Sequence, residues 1–569
     1  MSRPLDLVLL WHMHQPDYRD TATGEFRLPW VYLHAAKDYS DMAWHLESHP
    51  GVRAVVNLVP VLLDQIEDYA DQFATGRLRD PLLRLLVRDP ATPLTDAERA
   101  FAIDRCFRAN HEKMMKPFAA YARLHDLHRL FEAAGEDARR EWLSDDYFYD
   151  LVTWYHLVWT GEAVRRNHAV VAELMTRGAG FTHADRVALF ELYGLLVRDV
   201  TGRYARLAAS GRVEISTTPN DHPLAPLLVD FRAAREARPD SPLPEAPAYP
   251  GGPERLREHV GLAFASHARR FGAPPRGVWP AEGAVSDAVL GVLGAAGAQW
   301  TASGEGVLVN TLRRAGRPVE RRVEYLYRPY RAADDGPLCF FRDDRLSDLI
   351  GFEYAKWHSH EAAGSFIGEL EAIAAAAPAD ETPLVSVILD GENCWESYPY
   401  NGYYFLDTLY ARLESHPSIR MLTFADAVAR PASPTRPPAC TVPLPPLVAG
   451  SWVFGDLSTW MGAPEKNRAW DLLAAAKTSF DAVVASGRLS SDALARARRQ
   501  LAVCEASDWF WWLGDYNPAH AVSSFESLYR ANLASLYVML GLTPPPALGV
   551  SLGRGAGHPE AGGAMRRAT

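Results

Sequence analysis

Short apolar runs that end in polar or charged residues recur along the chain, each followed by a stretch of helical spacing. The first is "LDLVLL" (5–10). "RAVVNLV" (53–59) leads into "VLLDQIEDYA", whose apolar positions repeat with a helical period. "RVEIS" (212–216), "RGVWP" (276–280), "LVSVILD" (384–390) and "IRMLTF" (419–424) complete the series. Alternating strand and helix signals predict the parallel strands of an α/β fold. Ser286 is placed to cap a helix over "DAVLGVLGAAG". Residues 80–200 read as a helical insertion into a catalytic unit spanning 1–430, with "LFELYGLLVRDVTGRYARLAA" its clearest amphipathic piece and no evident chemistry of its own. In "PASPTRPPACTVPLPP" (431–446) seven of sixteen residues are proline, which predicts a linker. A helical domain is expected over 447–548, and the glycine- and alanine-rich end, 549–569, reads as a disordered tail.

Composition narrows the partners. The 569 residues carry a formal net charge of −11, which offers no general attraction for phosphate backbones or anionic membranes, so neither nucleic acid nor membrane is expected as a partner. Sixteen Trp and 23 Tyr are a heavy aromatic load, of use both to core packing and to the faces of sugar rings. The five cysteines are widely spaced with no CxxC pair, pointing to a reducing compartment and a cytoplasmic location. No run of eighteen apolar residues is present, and nothing in the pattern specifies an oligomer.

In parallel α/β architectures the functional residues gather at the carboxyl ends of strands. Carboxylates repeatedly occupy those positions here. Glu214 lies in "GRVEISTTPNDHP", Glu282 directly follows "GVWPA", and Asp390 ends "LVSVILD", with Glu392 two residues on. Any one such acid alone is as well explained by helix capping. Asp390, however, ends a run too apolar for the surface, and Glu282 is less suited to capping than Ser286. His12 and His14 follow the first strand and share a face. Imidazoles suit zinc, yet no third ligand has convincing spacing, and a hydrogen-bonded pair is the plainer reading.

Five segments in order resemble glycoside hydrolase family 57: "HQP" (14–16), "GRVEISTTPNDHPLAPLL" (211–228), "GVWPAEGAVS" (277–286), "LDGENCWE" (389–396) and "AVCEASDWFWWLGD" (502–515). The resemblance implies an irregular (β/α)7 barrel followed by a helical domain leaning over the active-site mouth. It implies Glu282 as nucleophile and Asp390 as general acid/base. His14, Glu214, Glu392 and Asp508 would hold sugar hydroxyls or tune the catalytic pair, and His12, Trp279, Trp395 and Trp509 would wall the subsites. The spacing in "CEASD" is longer than in some members, which loosens the assignment of Asp508. The charge of Glu392 is expected to raise the pKa of Asp390. The implied activity is retaining hydrolysis of α-1,4-glucosidic bonds, extending to α-1,6, of the α-amylase or amylopullulanase type and on an α-glucan substrate. The alternatives are a glucanotransferase or branching enzyme, a zinc hydrolase, or a non-catalytic glucan-binding protein. No metal or cofactor is expected at the site.

Overall fold

The structure, a computed structural model, describes residues 3–133, 142–332, 335–430 and 436–557. Seven strands form the barrel: β1 (Leu5–Met13), β2 (Ala54–Leu58), β3 (Val213–Ser216), β4 (Gly277–Val278), β5 (Trp300–Gly304), β6 (Leu338–Arg342) and β7 (Leu384–Asp390). Parallel pairing joins β7 to β1, β1 to β2 and β2 to β3, and separately β4 to β5 and β5 to β6. Two seams close the ring. A parallel bridge links Thr217 to Val278, and the Asp343 N–H donates to the Ser386 carbonyl at 2.7 Å. The barrel is irregular because a short eighth strand, β8 (Ile419–Met421), pairs with Leu5–Leu7 of β1, while β2 pairs with Leu10–Met13 higher up. The strands read from the sequence do not include β5 and β6, although β6 has a short apolar run, "LCFF". "WTASG" has no apolar run, because small polar side chains pack at this barrel wall.

The period of two along each strand sorts residues between two cores. Leu7, Leu9, Trp11 and Met13 of β1 face the surrounding helices. Val8 and Leu10 face inward, where they meet Val55, Trp279, Trp300, Phe340 and Ile388. The register stacks this interior in layers. Leu10 is level with Val55 and Ile388, and one layer higher His12 is level with Asn57 and Asp390. Polar side chains therefore begin where the apolar plug ends, at the carboxyl ends of the strands.

Beyond β8 the chain crosses the barrel in an irregular segment, with Gly450 bridged to Val285. It then forms helices Pro464–Ala485, Ser491–Cys504, Asp508–Trp512 and Ala519–Met539. Of the proline-rich stretch, 431–435 lies outside the described residues; beyond it, Arg436 pairs with Asp6 at 3.0 Å. Of the expected tail, 558–569 lies outside the described residues, while Leu552 is buried and the Ala556 N–H donates to the Asp515 carbonyl at 2.9 Å. Among the described residues no helix is long and apolar enough to cross a membrane.

A buried ion pair fastens these last helices to the barrel. Glu505 is fully enclosed and receives Arg255 Nε at 2.8 Å, Arg255 Nη2 at 2.6 Å and His259 Nε2 at 2.7 Å. Tyr249 donates to the same carboxylate. Burial alone would raise the carboxyl, but the charge and hydrogen bonds of Arg255, with His259, hold it at about 2. The folded pKa lies below the unfolded one, so this stabilisation is complete above roughly pH 4.5 and is lost as pH falls toward 2. Arg255→Ala strands the carboxylate and is expected to cost about 3–5 kcal/mol, read from urea unfolding at pH 7. An unchanged midpoint would show that the pair contributes nothing.

Candidate active site

One cavity of about 650 Å³ opens over the carboxyl ends of the strands and is lined by both Glu282 and Asp390. Glu282 sits in a tight turn, Ala281–Gly283, directly after β4 and Pro280, with φ 58° and ψ 23°. This left-handed conformation costs a non-glycine residue ~1–2 kcal/mol. The turn is held from both sides. The Trp452 N–H donates to the Glu282 carbonyl at 3.1 Å, and Trp452 Nε1–H donates to Glu282 Oε2 at 3.1 Å. Immediately downstream, Ser286 caps helix Asp287–Ala295 through Val289 N–H, as the sequence predicts.

Asp390 crowns the inward column of β7, level with His12. Burial raises its pKa to about 6, against the opposing effects of Asn393, which donates to Oδ2 at 2.8 Å, and of the nearby His14 and Arg342 charges. Arg342 is fixed by the Ile388 carbonyl and by Asp344 and Asp348. Glu392 lies deeper. Its Oε1 accepts from the His14 N–H, Gln15 Nε2 and Tyr39 Oη at 3.1–3.2 Å. Burial and then the Asp390 charge push it well above the usual carboxyl range. Desolvation is the largest cause for both acids, and their mutual repulsion adds to it.

The histidines form a hydrogen-bonded chain across the site. Asn57 Nδ2 donates to Ser216 Oγ at 3.0 Å, which leaves Asn57 Oδ1 to accept from Thr218 Oγ1 at 2.9 Å and from His12 Nδ1–H at 2.7 Å. His12 Nε2 then accepts from His222 Nε2–H at 3.2 Å, and His222 Nδ1 accepts from Ser507 Oγ–H at 2.9 Å. Both rings must be neutral for this order, and burial, followed by the neighbouring imidazole charge, lowers His12 to about 3 and His222 well below 6.5. His14 Nε2–H is shared between the two oxygens of Asp508 at 3.0 and 2.9 Å.

His14, His222 and Asp508 are close enough to be considered as a metal set. Two facts oppose it. His14 and His222 stack with centroids 3.7 Å apart at 14°, so their lone pairs lie in separate parallel planes and do not converge. The His222 nitrogens are already engaged by His12 and Ser507. The set fits a hydrogen-bond network better than a zinc centre.

His12, His14, Glu282, Asp390, Glu392 and Asp508 all line the cavity. Four expected site residues do not. Glu214 points inward one layer below Ser216, level with Val55, and accepts from Trp300 Nε1 at 2.7 Å and from the Ala425 N–H at 2.8 Å. It closes the barrel from beneath. Trp279 is part of the barrel plug, edge-on to Trp452. Trp395 packs on Trp11 and Trp509 on Tyr529, each with its indole N–H bonded to a backbone carbonyl. The indoles at the cavity are instead Trp30, Trp159, Trp452, Trp511 and Trp512. The helical insertion, read as having no evident chemistry of its own, also reaches the wall, through Phe107, Arg108 and Asn110 among others. Of the residues not anticipated, His222 stood in "PNDHP" at a turn it enters with φ 58°. Trp452 and Arg342 had no sequence signal.

The comparisons agree with this architecture. The family model for glycosyl hydrolase family 57 matches residues 8–439. No curated protein matches the chain. A branching enzyme from Thermococcus kodakaraensis is similar in fold, with TM-score 0.56 at 15% identity, covering 94% of this chain and 90% of that one. The α-amylase AmyC from Thermotoga maritima gives 0.54 at 12% identity, covering 95% and 96%. A 4-α-glucanotransferase from Thermococcus litoralis gives 0.50 at 14% identity, covering 94% and 60%. With the family model spanning well over half of its length and the (β/α)7 barrel in place, the chain belongs to glycosyl hydrolase family 57.

Proposed function

We propose that this chain is a retaining glycosidase that hydrolyses α-1,4-glucosidic bonds, and α-1,6 bonds as a secondary activity, in glycogen, starch or maltodextrins. The observation that carries the reading is that Glu282 and Asp390, on separate strand ends, share one aromatic-walled cavity and sit in unlike environments. A retaining reaction needs that asymmetry. Asp390, raised to about 6, holds its proton well above the usual carboxyl range and delivers it to the leaving glycosidic oxygen. Glu282 attacks the anomeric carbon, giving a covalent glycosyl-enzyme. Asp390, now ionised, takes a proton from the water that cleaves this intermediate. Trp452 Nε1–H holds the carboxylate of Glu282 in its attacking orientation. His14 and Asp508 face the sugar hydroxyls as a donor and acceptor pair. The five free thiols, four of them buried, favour a reducing compartment, so glycogen or imported maltodextrin is the substrate we infer.

Transglycosylation uses the same intermediate and differs in whether a sugar hydroxyl replaces water. The fold likeness to a branching enzyme and to a 4-α-glucanotransferase keeps those activities in view. The test is to incubate the protein with maltoheptaose, pullulan and glycogen and to resolve the products. Hydrolysis gives new reducing ends in step with bond loss, with the α-anomer released first. New α-1,6 branches without new reducing ends identify a branching enzyme, and redistributed chain lengths a glucanotransferase.

A further inference from the structure

On the outer side of the barrel, helix Ser40–Ser48 lies against helix Tyr403–Glu414. His45 and His49 are four residues apart at the end of the first helix, and Asp407 is on the second. One donor atom from each lies within 4.8 Å of the other two. None of the three lines the catalytic cavity.

Two observations point to a missing ligand. His45 is 1% exposed, yet among the described residues neither of its ring nitrogens has a hydrogen-bond partner. Its neighbours are the rings of Trp44, Tyr403 and Tyr410, which satisfy neither nitrogen. Buried polar atoms are rarely left so, and each exception asks for an explanation. The second observation concerns His49. Its Nδ1 stands 3.2 Å from Glu414 Oε1, while Glu414 Oε2 is fixed by the Gly51 N–H at 3.1 Å. With Nδ1–H donated to Glu414, Nε2 presents a lone pair, and it faces Asp407 Oδ1 at 3.1 Å. Two acceptors at that separation need either a shared proton or a metal cation between them. The spacing is close to the ~3.3–3.4 Å between ligand atoms that tetrahedral coordination at 2.0–2.1 Å requires. A carboxylate behind the ligating imidazole is the arrangement that orients histidine toward a metal.

We propose that His45, His49 and Asp407 form a binding site for a divalent transition-metal cation, zinc in particular, with Glu414 orienting His49 and the partly exposed side of Asp407 leaving a fourth position to water. Two imidazoles and one carboxylate suit zinc by ligand type. The ion would pin two helices whose inner neighbours serve the cavity. Tyr39, directly before the first helix, bonds Glu392, and the second helix follows the loop that carries Glu392 and Asn393.

The test uses the full chain, stripped with a chelator and dialysed, and then titrated with zinc by calorimetry and with cobalt by visible absorption. The wild type is expected to bind one equivalent at this site, to show the intense bands of four-coordinate cobalt, and to melt several degrees higher with zinc. His45→Ala and Asp407→Asn are expected to lose that equivalent and the melting shift. Glu414→Gln is expected to weaken binding about 10–100-fold. His14→Ala, at the catalytic cavity, should keep it. Asp407 is half exposed, so its variant folds even if His45→Ala does not. No binding by the wild type, or an equivalent retained in Asp407→Asn, overturns the proposal and leaves His49 as an imidazolium between two carboxylates.

Discussion

Glu282→Gln is expected to lower kcat/KM on maltoheptaose on the order of 10⁴-fold, with circular dichroism and melting temperature unchanged. The substitution keeps the volume of the side chain and its bond from Trp452 Nε1, and removes only the charge that we propose attacks the anomeric carbon. Ground-state binding should persist, so the loss should fall on kcat rather than KM. Glu282→Ala goes further, because it empties the face of the sugar ring that the carboxylate occupied. Azide is expected to enter there and yield a β-glycosyl azide, inverted relative to the α-linked substrate. Near-native hydrolysis by Glu282→Gln, or an azide product of α configuration, would remove Glu282 from the role of nucleophile.

Asp390→Asn is expected to reduce hydrolysis of glucan about 10²–10⁴-fold, the range for losing a positioned acid. The loss should shrink for an aryl glycoside whose leaving group needs no proton. The pH dependence carries a sign. In the proposed first step the protonated carboxyl is the active form, and burial raises its pKa to about 6. Wild-type kcat/KM should therefore fall as pH rises through about 6, and Asp390→Asn should lose that limb while retaining the acidic one. If the alkaline limb survives in Asp390→Asn, another group donates the proton.

How much of this was legible depends on what a strand shows along its length. β1, β2 and β7 announce themselves, since one face meets the helices and the other the plug, and their runs are largely apolar. β5 is as buried, but it is built of Thr, Ala, Ser and Gly beside Trp300 and has no apolar run to find. Glu282 and Asp390 were legible because they end such segments. Glu214 was misplaced by the same logic. It is the second residue of a four-residue strand, so it enters the barrel a layer too low, and Ser216 takes the upper place. The tryptophans were misjudged for a different reason. An indole count says how much aromatic surface exists, but the side of the chain it faces is decided by distant partners such as Trp11 and Tyr529. Trp452 reaches Glu282 from 170 residues away, beyond a proline-rich stretch, and no local pattern marks such a contact.

The wall that carries Ser507, Asp508, Trp511 and Trp512 is encoded long after both strand-end acids. On a ribosome, a growing polypeptide can display Glu282 and Asp390 well before Ser507 closes the relay through His222 to His12. The histidine chain that borders both acids is therefore complete only once the segment carrying Ser507 has been made.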